Sequence, residues 1–384
     1  AIYLGKNPDI AAVVAAGGIS SGTEHYEKYG RAEGRSYNCF NKYVAPNSQG
    51  ESDACLVVWT KFIENTESIV KKKWPLHGNP KLQNTNSNQC KSLLMVAIEE
   101  SPWIEYVLRV HRRYLGPEFL FQIVAPRTLY YKLKKSIEGP MLEVIEIPEE
   151  RFGDLSKPGV KLFDLYKSEW LWNQTVACEN VVHTTPDVLQ LRPGVEDFFE
   201  FSYVAAPVEP RSYVQREWSR LCVDNPHCGG EGGFSFRRRL HTMKVIQSCE
   251  IEIEDYHTVD LWLSECMVHY GSSLLGRGGE INIMPSPAIT NRLSLGSTCV
   301  VDNPVGMHKA WTRCPGSTCA QALATSKLYQ DLYGETKAPT ESCMEGEYVY
   351  KHMYFPFEGS GWDHYTAEGK NAGNKYACFT KLKK

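Results

Sequence analysis

The residues with the clearest chemical potential lie between Trp170 and Arg239. The polar insert His183-Thr-Thr-Pro-Asp187 falls between Val181-Val182 and Val188-Leu189, the pattern of a buried strand whose end holds a carboxylate out to a cleft. Asp187 is the group so presented. Farther on, four glycines surround Glu231, and Phe234, Ser235, Phe236 and three arginines follow. Glycines there would let backbone N–H groups approach a ligand closely, and the arginines could neutralise a phosphate. Together these features suggest a nucleotide-sugar site. Each alone also fits a plainer reading, a turn aspartate and an ordinary loop. Their order and spacing favour the site.

A carboxylate at a strand end requires a sheet to carry it. Leu93 to Ile98 reads as a first buried strand, and Pro102 to Arg113 as an amphipathic helix with Trp103, Tyr106, Val107 and Val110 on one face. Leu115-Gly116-Pro117 stops that helix, Phe119 to Val124 is the next strand, and Leu142 to Ile147 looks like a third. Phe198 to Val204 adds an aromatic, β-branched run that ends at Ala205-Ala206-Pro207. Such alternation implies an α/β fold with a mostly parallel sheet and ligands at the carboxyl ends of its strands. Arg237 to Ile246 reads as a helix opening on three arginines, a start that the helix dipole disfavours unless an anion binds there.

Outside this core, Asn47 to Asp53 reads as a polar linker, Cys55 to Thr60 as a strand and Ile63 to Trp74 as a helix whose terminal lysines serve its dipole. Residues 1 to 40 form a module: an Ala/Val helix stopped by Gly17-Gly18, then a second helix holding Glu24-His25-Tyr26. The run His25-Tyr26-x3-Gly30-x3-Gly34-x2-Tyr37-x-Cys39-Phe40 recurs as His364-Tyr365-x3-Gly369-x3-Gly373-x2-Tyr376-x-Cys378-Phe379, an internal repeat. Its histidine could bind a metal or a sugar, but helical spacing beside tyrosine favours a packed, hydrogen-bonded residue. Both copies read as packing or interaction modules through which the protein could assemble. The expected divisions are 1–40, a linker with accessory elements over 41–91, an α/β domain over 92–312, and a Cys- and aromatic-rich appendage with the second repeat over 313–384.

Composition narrows the setting. The 384 residues carry a formal charge of −3, which leaves no basic field for sequence-independent nucleic-acid binding. Thirteen cysteines without a C-x2-C zinc pair favour disulfides and an oxidising compartment, the lumen of the secretory pathway or the outside of the cell. The odd count leaves at least one thiol free or paired between chains. No apolar run is long enough to span a bilayer. The opening Ala-Ile-Tyr fits a mature chain after signal removal or an excised domain. Asn173-Gln174-Thr175 is a glycosylation sequon, which would make this a glycoprotein if occupied.

Motif order adds a resemblance. Ser168 with Leu171-Trp172, Thr185 to Asp187, Asp197-Phe198 with Tyr203 to Pro207, and Gly232-Gly233-Phe234-Ser235-Phe236-Arg237 follow the pattern S-x-x-F-W, Q-T-D, D-F-x-x-Y-D-Y-x-G-A-P-W and N-G-G-x-S-L-R. Val259-Asp260-Leu-Trp-Leu-Ser264 aligns with E-D-V-x-F-S, and Pro304-x-Gly306-x-His308-x-x-Trp311 with P-x-G-x-H-x-x-W. The chain over about 92 to 312 thereby resembles an uncharacterised family of GT-A-type glycosyltransferase-like domains, and the terminal runs resemble a small repeat of secreted proteins.

The resemblance implies a GT-A-like sheet flanked by helices and an inverting transfer of sugar from a nucleotide diphosphate to a glycan or protein hydroxyl. It casts Asp260 as the catalytic base, with Glu254-Asp255 as a rival, and Asp187 with His308 as ligands of Mn²⁺ or Mg²⁺. Gly232, Gly233, Ser235 and Arg237 would face donor or acceptor. Thr185 stands where GT-A metal motifs usually place a first acid, Val259 where the family has Glu, and Val208 where it has Trp. These departures keep a second reading in view: a non-catalytic structural or carbohydrate-binding glycoprotein on the same scaffold.

Overall fold

The computed structural model describes residues 8–20, 22–25, 28–29, 49–84, 86, 89–153, 155, 162–173, 178–207, 230–251, 259–274, 283–296, 301, 303–309, 314 and 316–334. Its centre is a six-stranded sheet. β1 (Lys91–Val96), β2 (Leu120–Ala125), β3 (Leu142–Glu146) and β4 (Asn180–Thr184) are mutually parallel. After them come β5 (Val188–Gln190), β6 (Tyr203–Ala206) and β7 (Glu231–Arg238). The order is β3-β2-β1-β4-β7-β6, and β7 alone runs antiparallel to its neighbours. β8 (Ser294–Leu295) and β9 (Gly306–His308) form a second sheet in the order β5-β9-β8. This is the α/β, mostly parallel architecture expected from the sequence.

Alternation along the strands divides the core in two. Leu93, Met95, Phe121, Ile123, Val182, Phe234 and Phe236 face one apolar layer. Leu94, Val96, Val124, Val181, Tyr203 and Ala205 face the other. The first layer is closed by three helices: α1 (Gln49–Lys73), α2 (Ile104–Leu115) and α3 (Arg127–Ile137). The second is closed by α4 (Arg239–Ser248), α5 (Val259–Leu274) and Trp172. Helix α6 (Gly316–Ala324) packs on α1, and the Cys55–Cys319 disulfide joins the two.

Two local expectations are corrected. The linker, strand and helix anticipated over 47 to 74 are one helix, α1, of 25 residues. Cys55, Val58, Trp59, Phe62, Ile63 and Val70 are all buried, and their recurrence every three or four positions is a helical face rather than the alternation of a strand. The helix start with three arginines is also corrected, because Arg237 and Arg238 close β7 and only Arg239 stands in the helix. Pairing with β4 on one side and β6 on the other holds this glycine-containing segment extended against its local propensity.

Two further disulfides are described, Cys90–Cys178 at the amino ends of β1 and β4, and Cys249–Cys266 between α4 and α5. No helix among the described residues is long and apolar enough to cross a membrane. In the module over 1–40, a helix over Pro8–Ala15 ends before Gly17 at φ 75°, and His25, which opens the first repeat copy, is buried beside the Tyr29 ring. The rest of that copy, all of the second, Cys39 and Cys378 lie outside the described residues.

Candidate functional site

The site forms where β4 ends. Thr184 closes that strand, Thr185 and Pro186 turn the chain, and Val188 starts β5 in the second sheet. Asp187 sits on the hinge between the two sheets, with its Oδ1 accepting from the Thr185 hydroxyl. In the second sheet Val188 pairs with His308, which brings the imidazole Nε2 to 3.6 Å from Asp187 Oδ1. The next residue, Lys309, adopts φ 42° and places Nζ 3.0 Å from Asp187 Oδ2.

Strand β7 enters from the opposite direction, so its amino end lies beside the carboxyl end of β4, with Phe234 opposite Thr184. Gly232 and Gly233 therefore sit at the same rim as Asp187. Their lack of side chains is a contact requirement. A Cβ on Gly233 would fall 2.2 Å from His308 Nε2, and one on Gly232 would fall 2.0 Å from Asp260 Oδ1. Asp260 stands in the first turn of α5, at the positive end of a 16-residue helix. Its carboxylate accepts the Gly232 backbone N–H.

Beneath the rim, Arg237 is fully buried with Nη2 3.5 Å from Asp260 Oδ1. The centroids of Trp172, Tyr203 and Tyr166 lie 5.3, 5.5 and 5.9 Å from the guanidinium carbon, a cation–π surround. Arg237 Nε donates to Ser235 Oγ at 3.0 Å, and the Ser235 hydroxyl donates to Gly232 O at 3.0 Å. Neither Nη1 nor Nη2 has a hydrogen-bond partner among the described residues. His183 Nδ1 lies 2.8 Å from the Gly232 carbonyl, which can only accept, so Nδ1 carries the proton and Nε2 accepts from the Tyr166 hydroxyl at 2.8 Å. The Gly232 peptide is thus held at its carbonyl by His183 and Ser235 while its N–H holds Asp260.

Asp187, Asp260 and His308, together with Gly232 and Gly233, consequently meet at one rim of the sheet. Two sequence expectations need correction. Ser235 and Arg237, expected to face donor or acceptor, are wholly buried and spend their polar groups on each other, Gly232 and Asp260. Asp255 and its neighbour Glu254 fall outside the described residues. The sequence alone assigns no role to Lys309 or Tyr166, and it marks His183 and Thr185 only as parts of the polar insert and its motif. A lysine directly after a candidate ligand and a histidine within an apolar strand were the available signals, but only the β5–β9 register and the β4–β7 pairing give them meaning.

Comparison with known proteins adds a family of undefined activity. The family described as "Protein of unknown function (DUF5672)" matches residues 142–276. That span contains Asp187, the Gly232-Gly233 pair and Asp260 but stops before His308. No curated protein matches the chain. Among solved structures the chain is similar to the apo-form glycosyltransferase GlyE of Streptococcus pneumoniae, with TM-score 0.33 and 12% identity over 56% of this chain and 54% of that one. It is also similar to the mannosyltransferase PcManGT of Pyrobaculum calidifontis in complex with GDP-Man and Mn²⁺, with TM-score 0.28 and 11% identity over 61% and 66%. The chain spans about half to two thirds of the length of these structures.

Electrostatics sort the ionisable groups. Burial raises the Asp260 carboxyl above its ordinary range, against the pull of Arg237 and, less strongly, of His308 and the Gly232 amide. Burial pushes Asp187 the same way, but His308 and Lys309 overcome it and hold that carboxyl low. Burial depresses His308 despite Asp187, which leaves a neutral imidazole at neutral pH. The Asp187 and His308 side chains are 19% and 14% exposed and that of Asp260 30%, so all three reach the rim, whereas Arg237 at 0% does not.

The pair expected to hold a divalent ion fits that task poorly. No group of three or more His, Cys, Asp or Glu side chains able to hold a metal occurs among the described residues. The second oxygen of Asp187 already carries the Lys309 ammonium. Two unit charges about 4 Å apart repel by roughly 4 kcal/mol in a partly buried setting, so an ion on Asp187 would have to displace the lysine. A hollow of about 260 Å³ past the ends of β1 and β2, lined by Ile98, Glu99, Glu100, Thr128, Leu129 and Lys132, shares no residue with this cluster.

Proposed function

We propose that this protein transfers a sugar from a nucleoside diphosphate to a hydroxyl acceptor with inversion, using Asp260 as the base. The reading rests on one observation: two carboxylates and an imidazole from three separate parts of the chain converge at the Gly232-Gly233 rim. Asp260 suits the role of base. Burial raises its carboxyl above the ordinary range, Arg237 opposes that shift, and the group is open to the rim. In the transfer it accepts the acceptor's proton as that oxygen attacks the anomeric carbon. The bond from that carbon to the phosphate oxygen breaks, and its electron pair leaves with the diphosphate. A single displacement inverts the anomeric centre.

Asp187, His308 and Lys309 would face the diphosphate side. Mn²⁺ or Mg²⁺, expected from the sequence as a cofactor, would be held by Asp187 and His308, with no cluster of three or more ligands among the described residues, and no step of this reading passes through it. Disulfides joining α1 to α6, β1 to β4 and α4 to α5 support an oxidising setting, the secretory lumen or the cell exterior.

The test is NMR of the purified chain with a panel of UDP- and GDP-sugars. Slow hydrolysis should release nucleoside diphosphate and first yield the free sugar in the anomeric form opposite to that of the donor. Asp260→Asn should lower the rate by about 10²- to 10⁴-fold. A folded protein that turns over none of the panel would leave the scaffold as a binding or structural one, and a sugar released with retention would remove Asp260 from the role of base in a single displacement.

A further inference from the structure

We propose that Lys309 is the resident cation of this site, and that its ammonium, held on Asp187 beside His308, meets the phosphate oxygens of a nucleoside diphosphate without a divalent ion. This rests on the reading of the rim as a donor site and deepens it by assigning the charge that receives the donor. Each carboxylate of the cluster has a cation supplied by the chain itself. Asp260 is matched by Arg237 from below, and Asp187 by Lys309 at 3.0 Å. The two cations differ in access. Arg237 is sealed under the sheet, whereas the Lys309 side chain is 51% exposed. The charge of an exposed ammonium suits a phosphate.

The backbone carries a second mark. Lys309 holds φ 42°, a left-handed conformation that L-residues rarely adopt away from glycine and that persists only where the surroundings enforce it. The enforcement is visible. His308 is fixed by β-pairing to Val188 and pressed against Gly233, and the turn at Lys309 then sends its side chain back over Asp187. A divalent ion on Asp187 and His308 would have to compete with this arrangement.

The experiment is calorimetric binding of UDP, GDP and ADP to the full chain, in EDTA and again with Mn²⁺. At least one diphosphate should bind in EDTA with an affinity that Mn²⁺ leaves unchanged. Lys309→Met should weaken it by about tenfold or more, the loss of one charged hydrogen-bonding group. Lys309→Arg, which keeps the charge on the same backbone, should retain most of the affinity and controls for strain. Asp187→Asn gives the sharpest contrast: removing the lysine's counter-ion should tighten diphosphate binding in EDTA, whereas loss of a metal ligand would weaken it. Binding that appears only with Mn²⁺, or that Lys309→Met leaves untouched, overturns the inference and leaves the donor-site reading standing. A folded chain that binds none of the three under either condition overturns both.

Discussion

Two buried polar clusters flank the same strand, and they are built differently. On one face of β4, His111 from α2 is fully enclosed with both ring nitrogens satisfied. Its Nδ1 donates to Gln190 Oε1 at 2.9 Å, and its Nε2 accepts from the Thr184 hydroxyl at 3.1 Å. Toward the rim and the other face, Arg237 leaves two terminal nitrogens, and His308 its Nδ1, without a hydrogen-bond partner among the described residues. Each buried polar group left so costs about 1–3 kcal/mol. A fold can dispense with such a cost in a cluster that only braces two sheets, and the His111 cluster does. Its persistence in His308, at the rim beside Gly233 and the left-handed Lys309, marks a group kept for a ligand, whereas Arg237 braces Asp260 from below.

Substitutions should separate the two clusters. The largest effect belongs to the rim: Asp260→Asn is expected to cut turnover about 10²- to 10⁴-fold while leaving the unfolding free energy near that of the wild type. His111→Leu should do the reverse. By stranding Gln190 and Thr184 it should cost about 2–4 kcal/mol in urea unfolding, with donor affinity per folded molecule retained.

Acid sharpens the contrast. Burial, opposed only by the bond to Gln190, lowers the His111 pKa from 6.5 to about 4. The unfolded chain therefore takes up a proton near pH 6.5 that the native chain refuses until about pH 4. Stability from this group is full above the unfolded value and falls as pH drops, by roughly 3 kcal/mol across the window. His183, also held well below its ordinary value by burial, adds to the same trend. Urea midpoints between pH 7 and 4 should follow this slope, and His111→Leu should flatten part of it. The smallest expected effect is that of Gly233→Ala, whose Cβ must push His308 aside at a cost of about 1–3 kcal/mol. It should also weaken diphosphate binding, because Lys309 follows His308 in the chain.

Much of the sheet was readable because its strands are short apolar runs punctuated by Gly and Pro. Leu93 to Ile98 and Phe119 to Val124 fall within about two residues of β1 and β2. Helix α1 was missed because Leu56-Val-Val-Trp-Thr60, seen alone, has strand-like composition, and only its continuation through Phe62, Ile63 and Val70 reveals the helical period. Strand β7 was missed because its glycines and arginines have poor strand propensity, while partners on both edges decide its conformation. At the rim, Asp187 and His308 drew notice for their types, yet Lys309 did not. An exposed lysine gains significance only from the register that sets His308 against Val188.

The division between a structural and a functional polar cluster is tested most directly by measuring sugar-nucleotide turnover and unfolding free energy side by side on Asp260→Asn and His111→Leu. The account predicts a crossed result, turnover lost with stability kept in the first, and stability lost with turnover per folded molecule kept in the second. If Asp260→Asn instead turns over donor at the wild-type rate, the rim is not the seat of the chemistry.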